Sequence, residues 1–213
     1  MADYKKEKYW SKFANTFDED QAYIVGGAVQ RQAIIDRLSG ERDLGELIEL
    51  GCGAGFYTKV LAANASHVMA TDLSDEMLAV ARTQLKDLQN VTVAKADCEK
   101  TAFPDGKFSS VFMANLIHII ENPLKTLQES HRILKNGGLL LIVNHTGYGM
   151  KWFEIMKMGI RFLRRWGKPP PYSKSKLSPD ELRSLVESAG FKVEEVQLIG
   201  DRSKAIYLKG RKG

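Results

Sequence analysis

The strongest chemical signal in the sequence is the run Glu49-Leu50-Gly51-Cys52-Gly53-Ala54-Gly55, followed at a distance by Asp72. Alternating glycines let the chain turn tightly and let a ligand approach the backbone more closely than a Cβ would permit. ELIEL (46–50) before them is a short apolar run that reads as a buried strand, and FYTKVLAANA (56–65) after them returns to helical spacing. Asp72 stands 21 residues past Gly51, at the end of a second strand-like run, HVMATD (67–72). A carboxylate there can accept both hydroxyls of a ribose. GxGxG alone also occurs in nicotinamide-binding folds, but those keep acids away from the pyrophosphate. The carboxylate of Glu49 therefore counts against a dinucleotide whose pyrophosphate would lie beside it.

Further candidates lie at the ends of later strands. His118 follows FSSVFMAN (108–115), where its type and position suit a general base as well as a packed histidine. His145 and Tyr148 follow LLLIVN (139–144). His67 and His131, at a strand start and on a helix, read as structural. Cys52 and Cys98 form no CxxC pair, no disulfide framework is expected, and no acidic or thiol constellation suggests a metal.

The elements that must position these residues alternate strand and helix. SDEMLAVARTQLKDL (74–88) is a helix with Ser74 as N-cap, VTVAKAD (91–97) a third strand, and NPLKTLQESHRILK (122–135) a helix opened by Asn122-Pro123 and closed by Gly137-Gly138. Several strands are apolar on both faces, which calls for a parallel sheet covered by helices on both sides. Residues 4–38 read as helical, with Gly40 as a stop. LSPDELRSLVESAGF restarts the fold with Ser178, Pro179 and Glu181 as a capping box, and FKVEEVQLIG and SKAIYLKG read as a terminal antiparallel pair. The expectation is one α/β domain with a Rossmann-like doubly wound, seven-stranded, mostly parallel sheet. Its parts are an N-terminal helical cap (1–40), a ligand-binding core (41–145), a basic inserted helix and loop (146–177), and a last helix with the terminal strand pair (178–213).

Composition sets bounds. The chain has 213 residues, 44% hydrophobic and 27% charged, as expected of a globular protein. It has no apolar run near the ~20 residues of a membrane span. MADYKKEKYW lacks the apolar region of a secretory signal, so the cytoplasm is the expected compartment. The net charge of +5 is uneven: from Lys151 onward there are 15 Lys/Arg against 7 Asp/Glu. In KWFEIMKMGIRFLRRW (151–166), Trp152, Ile155, Met156, Gly159, Leu163 and Trp166 form one stripe, while Glu154, Lys157, Arg161, Arg164 and Lys168 form a basic one. A lid over the pocket, a helix lying in a membrane interface at the inner face, and a docking surface for an acidic partner all fit this pattern.

IELGCGAGFYT, ATDLSDEML, KADCEKTAFPDGKFSSVFMANLIHII and HRILKNGGLLLIV resemble, in order, the successive motifs of class I S-adenosylmethionine-dependent methyltransferases, and within them the small-molecule enzymes. The resemblance spans about residues 45–145. It implies that Glu49 and the backbone at Gly51, Cys52, Gly53 and Gly55 hold the methionine end of S-adenosylmethionine, which leaves as S-adenosylhomocysteine. It implies Asp72 on the ribose, Leu73 and Met77 beside the adenine, Asp97 and Cys98 at its exocyclic amine, and Asn115 and Leu116 near the sulfonium. His118 and His145 are then the candidate catalytic residues, and Trp10, Tyr148 and Trp152 the candidate acceptor contacts. No NPPY or DPPY follows the fourth strand and no Pro-Cys nucleophile is present, which argues against base-modifying enzymes of nucleic acids. IVNH is similar to a stretch in bacterial phospholipid N-methyltransferases. The expected reaction is methyl transfer to a small, apolar or amphiphilic acceptor that could be lipid-linked, with peripheral membrane contact through 151–168. The alternatives are an RNA or protein methyltransferase docking through 151–176, a non-catalytic nucleoside-binding module, and a nicotinamide oxidoreductase.

Overall fold

A computed structural model describes residues 9–26, 28–170 and 176–213. Residues 4–8 of the expected N-terminal helical stretch and 171–175 of the expected basic loop lie outside them. After a helical start at 9–11, the elements are α1 (Phe17–Val25), α2 (Ala28–Ser39), β1 (Gly45–Leu50), α3 (Phe56–Ala62), β2 (Ala65–Asp72), α4 (Asp75–Leu85), β3 (Val91–Lys95) and β4 (Phe108–Ala114). They continue with α5 (Pro123–Ile133), β5 (Leu134–Thr146), α6 (Trp152–Trp166), α7 (Pro179–Ser188), β6 (Phe191–Ile199) and β7 (Lys204–Lys212).

The seven strands form one sheet in the order β3-β2-β1-β4-β5-β7-β6. β1 to β5 pair in parallel, and β7 runs antiparallel to both β5 and β6. This is the expected Rossmann-like sheet with its terminal antiparallel pair. β1 sits in the middle because its side chains are apolar toward both helical layers: Leu47, Ile48 and Leu50 are wholly buried. Each contributes about 1.5–3 kcal/mol relative to an exposed position. Strand order reverses between β1 and β4, and such a switch point opens a crevice at the carboxyl ends of the strands.

Two local features differ from expectation. The helix read as ending at Gly137-Gly138 stops at Ile133, and β5 begins at once with Leu134, which is fully buried and pairs with Phe108. Burying Leu134 on the sheet outweighs another helical turn. The glycine pair then carries an irregularity inside the strand, with Gly137 at φ +71° and a register shift between Phe108 and Ser110.

The second difference concerns α6. The face it packs inward carries Arg161, which lies against Tyr23 and Gly26, and Trp166, which lies among the N-terminal aromatics with Phe162 packed on it. Trp166 stacks on Phe17 at 5.4 Å between centroids and meets Trp10 edge-on at the same distance. Its indole N–H donates to Asp20 Oδ2 at 3.3 Å, and Arg165 pairs with Asp20 at 3.2 Å. Of the expected apolar stripe, Trp152, Met156, Gly159 and Leu163 face solvent, with Trp152 73% and Leu163 54% exposed, while Ile155 is half-buried and Trp166 is buried.

Candidate functional site

A cavity of about 440 Å³ lies at the carboxyl ends of β1 to β4. The glycine loop after β1 forms its floor. Gly55 must be glycine twice over: its φ is +90°, and an added Cβ would stand 2.8 Å from Leu85 Cδ1. Asp72, at the end of β2, clamps this loop from the side. Its Oδ2 accepts from the Gly53 amide at 3.0 Å and its Oδ1 from the Ser74 amide at 2.9 Å. A carboxylate offers about four lone-pair directions, so both oxygens keep capacity for ligand hydroxyls.

Glu49 is buried beneath the cavity. Among the described residues one side chain hydrogen-bonds it, that of Thr58, whose Oγ1 donates to Oε2 at 2.5 Å. Burial pushes its carboxyl up to about 8, the Thr58 hydrogen bond opposes this, and the charge of Asp72 adds to it. Asp18 is likewise raised by burial. The Cys52 thiol is raised by burial, and that of Cys98 is pushed to about 12 by the same cause. Neither is a nucleophile at neutral pH.

Of the positions singled out in the sequence, Glu49, Gly51, Cys52, Gly53, Asp72, Leu73, Met77, Asp97, Cys98, Asn115, Leu116 and Trp10 line this one cavity. Gly55 shapes the loop from behind. Asn115 holds φ +55°, and its Oδ1 accepts from the His145 amide at 2.8 Å, which locks the end of β4 to the end of β5. The remaining candidates lie elsewhere. His118 lines neither this cavity nor its smaller neighbour; its Nδ1 meets Asn144 Oδ1 at 2.9 Å, and burial lowers its pKa despite that bond. His145 lines a smaller neighbouring cavity, its pKa held down to about 4 by burial. Tyr148 and Trp152 are on the surface and line neither cavity. Sequence reasoning missed Thr58, Tyr57, Gln21 and Asp18. Only the hydroxyl two residues into α3 could have been found, by asking what partner a buried Glu49 has.

The cavity wall carries five carboxylates (Asp18, Glu49, Asp72, Asp97, Glu99) against Lys100 and Lys125, between aromatic and aliphatic surfaces. This donor set suits a nucleoside bearing cationic groups and repels a pyrophosphate. Residues 48–142 match the model of a family described as a methyltransferase domain. These residues form a methyltransferase domain, and S-adenosylmethionine is the cofactor its motifs imply. The cradle just described fits that cofactor: glycines against its backbone-proximal end, a carboxylate for hydroxyls and a buried acid for a cation.

The methyltransferase domain has named relatives. It is 34% identical to a demethylmenaquinone methyltransferase of Clavibacter sepedonicus over 105 residues, 49% of this chain. The match spans 41% of that relative's length. A ubiquinone/menaquinone biosynthesis C-methyltransferase of Teredinibacter turnerae is 26% identical over 189 residues, covering 79% of this chain and 76% of the relative. Among solved structures, a methyltransferase of Aquifex aeolicus superposes with a TM-score of 0.71 at 22% identity, over 95% of this chain and 98% of that one, a likeness of fold. Among the described residues, no group of three or more His, Cys, Asp or Glu is arranged for a metal, and no helix is long and apolar enough to cross a membrane.

Proposed function

We propose that this methyltransferase acts on a small, apolar or amphiphilic acceptor. The observation that carries the reading is the wall of the cavity: its acids disfavour a polyanionic acceptor such as RNA, and its remaining surface, Trp10, Phe17, Phe56, Leu116, Ile119 and Ile120, is apolar. The quinone-biosynthesis names of the two relatives support the same class of acceptor. In this reading Glu49 and the amides of the glycine loop hold the methionine end of the cofactor. Asp72 takes the ribose, Leu73 and Met77 flank the adenine, and Asp97 with Cys98 meets its amine. Asn115 and Leu116 border the sulfonium. The bound cofactor supplies a methyl group already activated on positive sulfur, so the protein's work is alignment and exclusion of water. Trp10 and Phe17, held by Trp166 of α6, close the cavity from the N-terminal side.

The reading extends to contact with an anionic lipid surface through residues 151–168, at the inner face of a membrane. The outward ridge of α6 (Trp152, Met156, Ile160, Leu163) is exposed beside Lys157, Arg164 and Lys168, the composition of an interfacial helix.

One labelling experiment tests both parts. Protein incubated with methyl-tritiated cofactor and a cell extract is expected to place label in organic-soluble small molecules, with more transfer when anionic vesicles are present. Label in RNA or protein would move the assignment to the docking alternative. Unchanged vesicle co-sedimentation of Trp152→Ser/Leu163→Ser would remove the membrane part alone.

A further inference from the structure

Beside the main cavity lies a second one of about 150 Å³, lined by Gln21, Ala22, Val25, Ala28, Gln30, Arg31, Tyr57 and His145. It shares Gln21 and Tyr57 with the first and sits at the same edge of the sheet, where β5 ends. A room of this size is comparable to one that admits benzene. Its polar equipment is unlike that of the main cavity. Among the described residues no carboxylate lines it, and the one permanent charge there is Arg31. That guanidinium lies 3.5 Å from the centroid of the Phe56 ring and hydrogen-bonds no described residue. Gln30 is buried, and its Nε2 has no hydrogen-bond partner among the described residues, although its Oε1 accepts from Ser203. A buried donor left without an acceptor is a standing cost that a ligand oxygen removes.

We infer that this room is the acceptor subsite, and that it takes a single planar ring bearing an ionised hydroxyl, a phenolate or enolate, whose oxygen is held by Arg31 and Gln30. The assignment rests on the methyl-transfer reading above and names its substrate chemistry. The surroundings agree. Burial keeps the Tyr57 phenol protonated, its pKa pushed up to about 12, so it offers a donor. His145 is neutral at pH 7, so it adds no second cation. Asp18, whose carboxyl burial holds above the ordinary range, lines the main cavity and not this one.

The chemistry also explains why neither candidate histidine lines the main cavity. A ring hydroxyl whose anion is stabilised by a guanidinium loses its proton to water on binding, and the charge spreads onto oxygen and the ortho carbon. Methyl transfer then forms one bond from that oxygen or carbon and breaks the carbon–sulfur bond, whose electron pair stays on sulfur; after attack from carbon, that ring carbon gives up its proton to water and the ring regains its aromaticity. No protein base is required at the moment of transfer.

The probe is 4-nitrophenol, which has one ring and a phenolate with its own visible absorbance, added to protein saturated with S-adenosylhomocysteine. Binding is expected to raise the phenolate fraction at pH values where the free probe is mostly protonated, an apparent acidity gain of about tenfold. Uncharged nitrobenzene is expected to bind at least tenfold more weakly. Arg31→Met is expected to abolish the gain while S-adenosylhomocysteine affinity stays within about threefold. Ala28→Phe, at an exposed helical position on the rim, is expected to block the probe by filling the room. A probe that keeps its free-solution spectrum with wild-type protein, or a gain that survives Arg31→Met, overturns the assignment. Failure of wild-type protein to bind S-adenosylhomocysteine, read by calorimetry in the same series, overturns the methyl-transfer reading beneath it.

Discussion

Glu41 and Glu49 flank the same central strand, are both buried, and meet opposite fates. On the amino side of β1, Glu41 accepts from Arg37 at 2.6 Å, Tyr207 at 2.7 Å and Lys209 at 2.8 Å. Burial works to raise its pKa, but the hydrogen bonds from Lys209 and Tyr207 and the nearby cations outweigh it, and the carboxyl sits below its ordinary value. On the carboxyl side, Glu49 has one hydroxyl, and burial wins. The protein satisfies the first acid from its own side chains and leaves the second short of partners. A buried carboxylate short of partners, facing a cavity, is the mark of a group completed by a ligand. The amino edge of this sheet is built for stability and the carboxyl edge for binding.

The largest expected effect comes from cutting the carboxyl edge at its clamp. Asp72→Ala removes the acceptor for two loop amides and, in the binding mode proposed above, for the ribose hydroxyls, so S-adenosylhomocysteine affinity by calorimetry is expected to fall by about 100-fold or more. An unchanged affinity would dissolve the contrast between the two edges.

Glu49→Gln comes next. The folded pKa of Glu49, about 8, lies above the unfolded value of 4.5. The stability it confers is therefore complete below about pH 4.5 and is lost as pH rises through about 8. The span is on the order of 5 kcal/mol. The wild-type melting temperature, without ligand, is expected to decline over that window and that of Glu49→Gln to stay flatter. Cofactor binding at pH 7 is expected to release a proton in the wild type alone, seen as a dependence of binding enthalpy on the buffer's ionisation heat. Glu41→Gln has the opposite signature. Its folded pKa is depressed, so its stability is present above the unfolded value and lost as pH falls through the folded one. At pH 7 the variant is expected to lose roughly 2 kcal/mol in denaturant titration, with S-adenosylhomocysteine affinity intact.

The binding edge was legible in the sequence where its residues are local to strand ends. Glu49, the glycines, Asp72, Asp97 and Asn115 each follow a strand that declares itself by composition, and the parallel sheet then brings those ends together. What was illegible comes from packing. Arg31 and Gln30 sit on a helix with no motif, and only the docking of α2 and α3 near the end of β5 makes them and Tyr57 neighbours of His145. Periodicity found the stripes of α6 but could not say which one faces inward. The answer depended on Trp166 meeting Trp10 and Phe17, about 150 residues away in the chain. Gly137-Gly138 has the composition of a helix stop and of a strand irregularity alike, and the burial of Leu134 decided between them.

The smallest expected effect sharpens the comparison most finely. Thr58→Val keeps shape and volume and removes the one side-chain donor to Glu49. A hydrogen bond to the charged form of an acid lowers its pKa, so the loss moves the carboxyl further above about 8. The decline still begins near the unfolded value of 4.5 but then runs on to a higher pH before it levels off, because the protonated form remains the favoured folded species for longer. The cost at neutral pH is about 1 kcal/mol or less, since a protonated Glu49 loses only an ordinary neutral partner. The measurement is the pH midpoint of the melting-temperature decline in wild type and variant. An upward shift shows that Thr58 tunes the ligand-facing acid. A downward shift, or none, means that Glu49 already has a partner strong enough to make Thr58 redundant, and the two edges of the sheet are then alike.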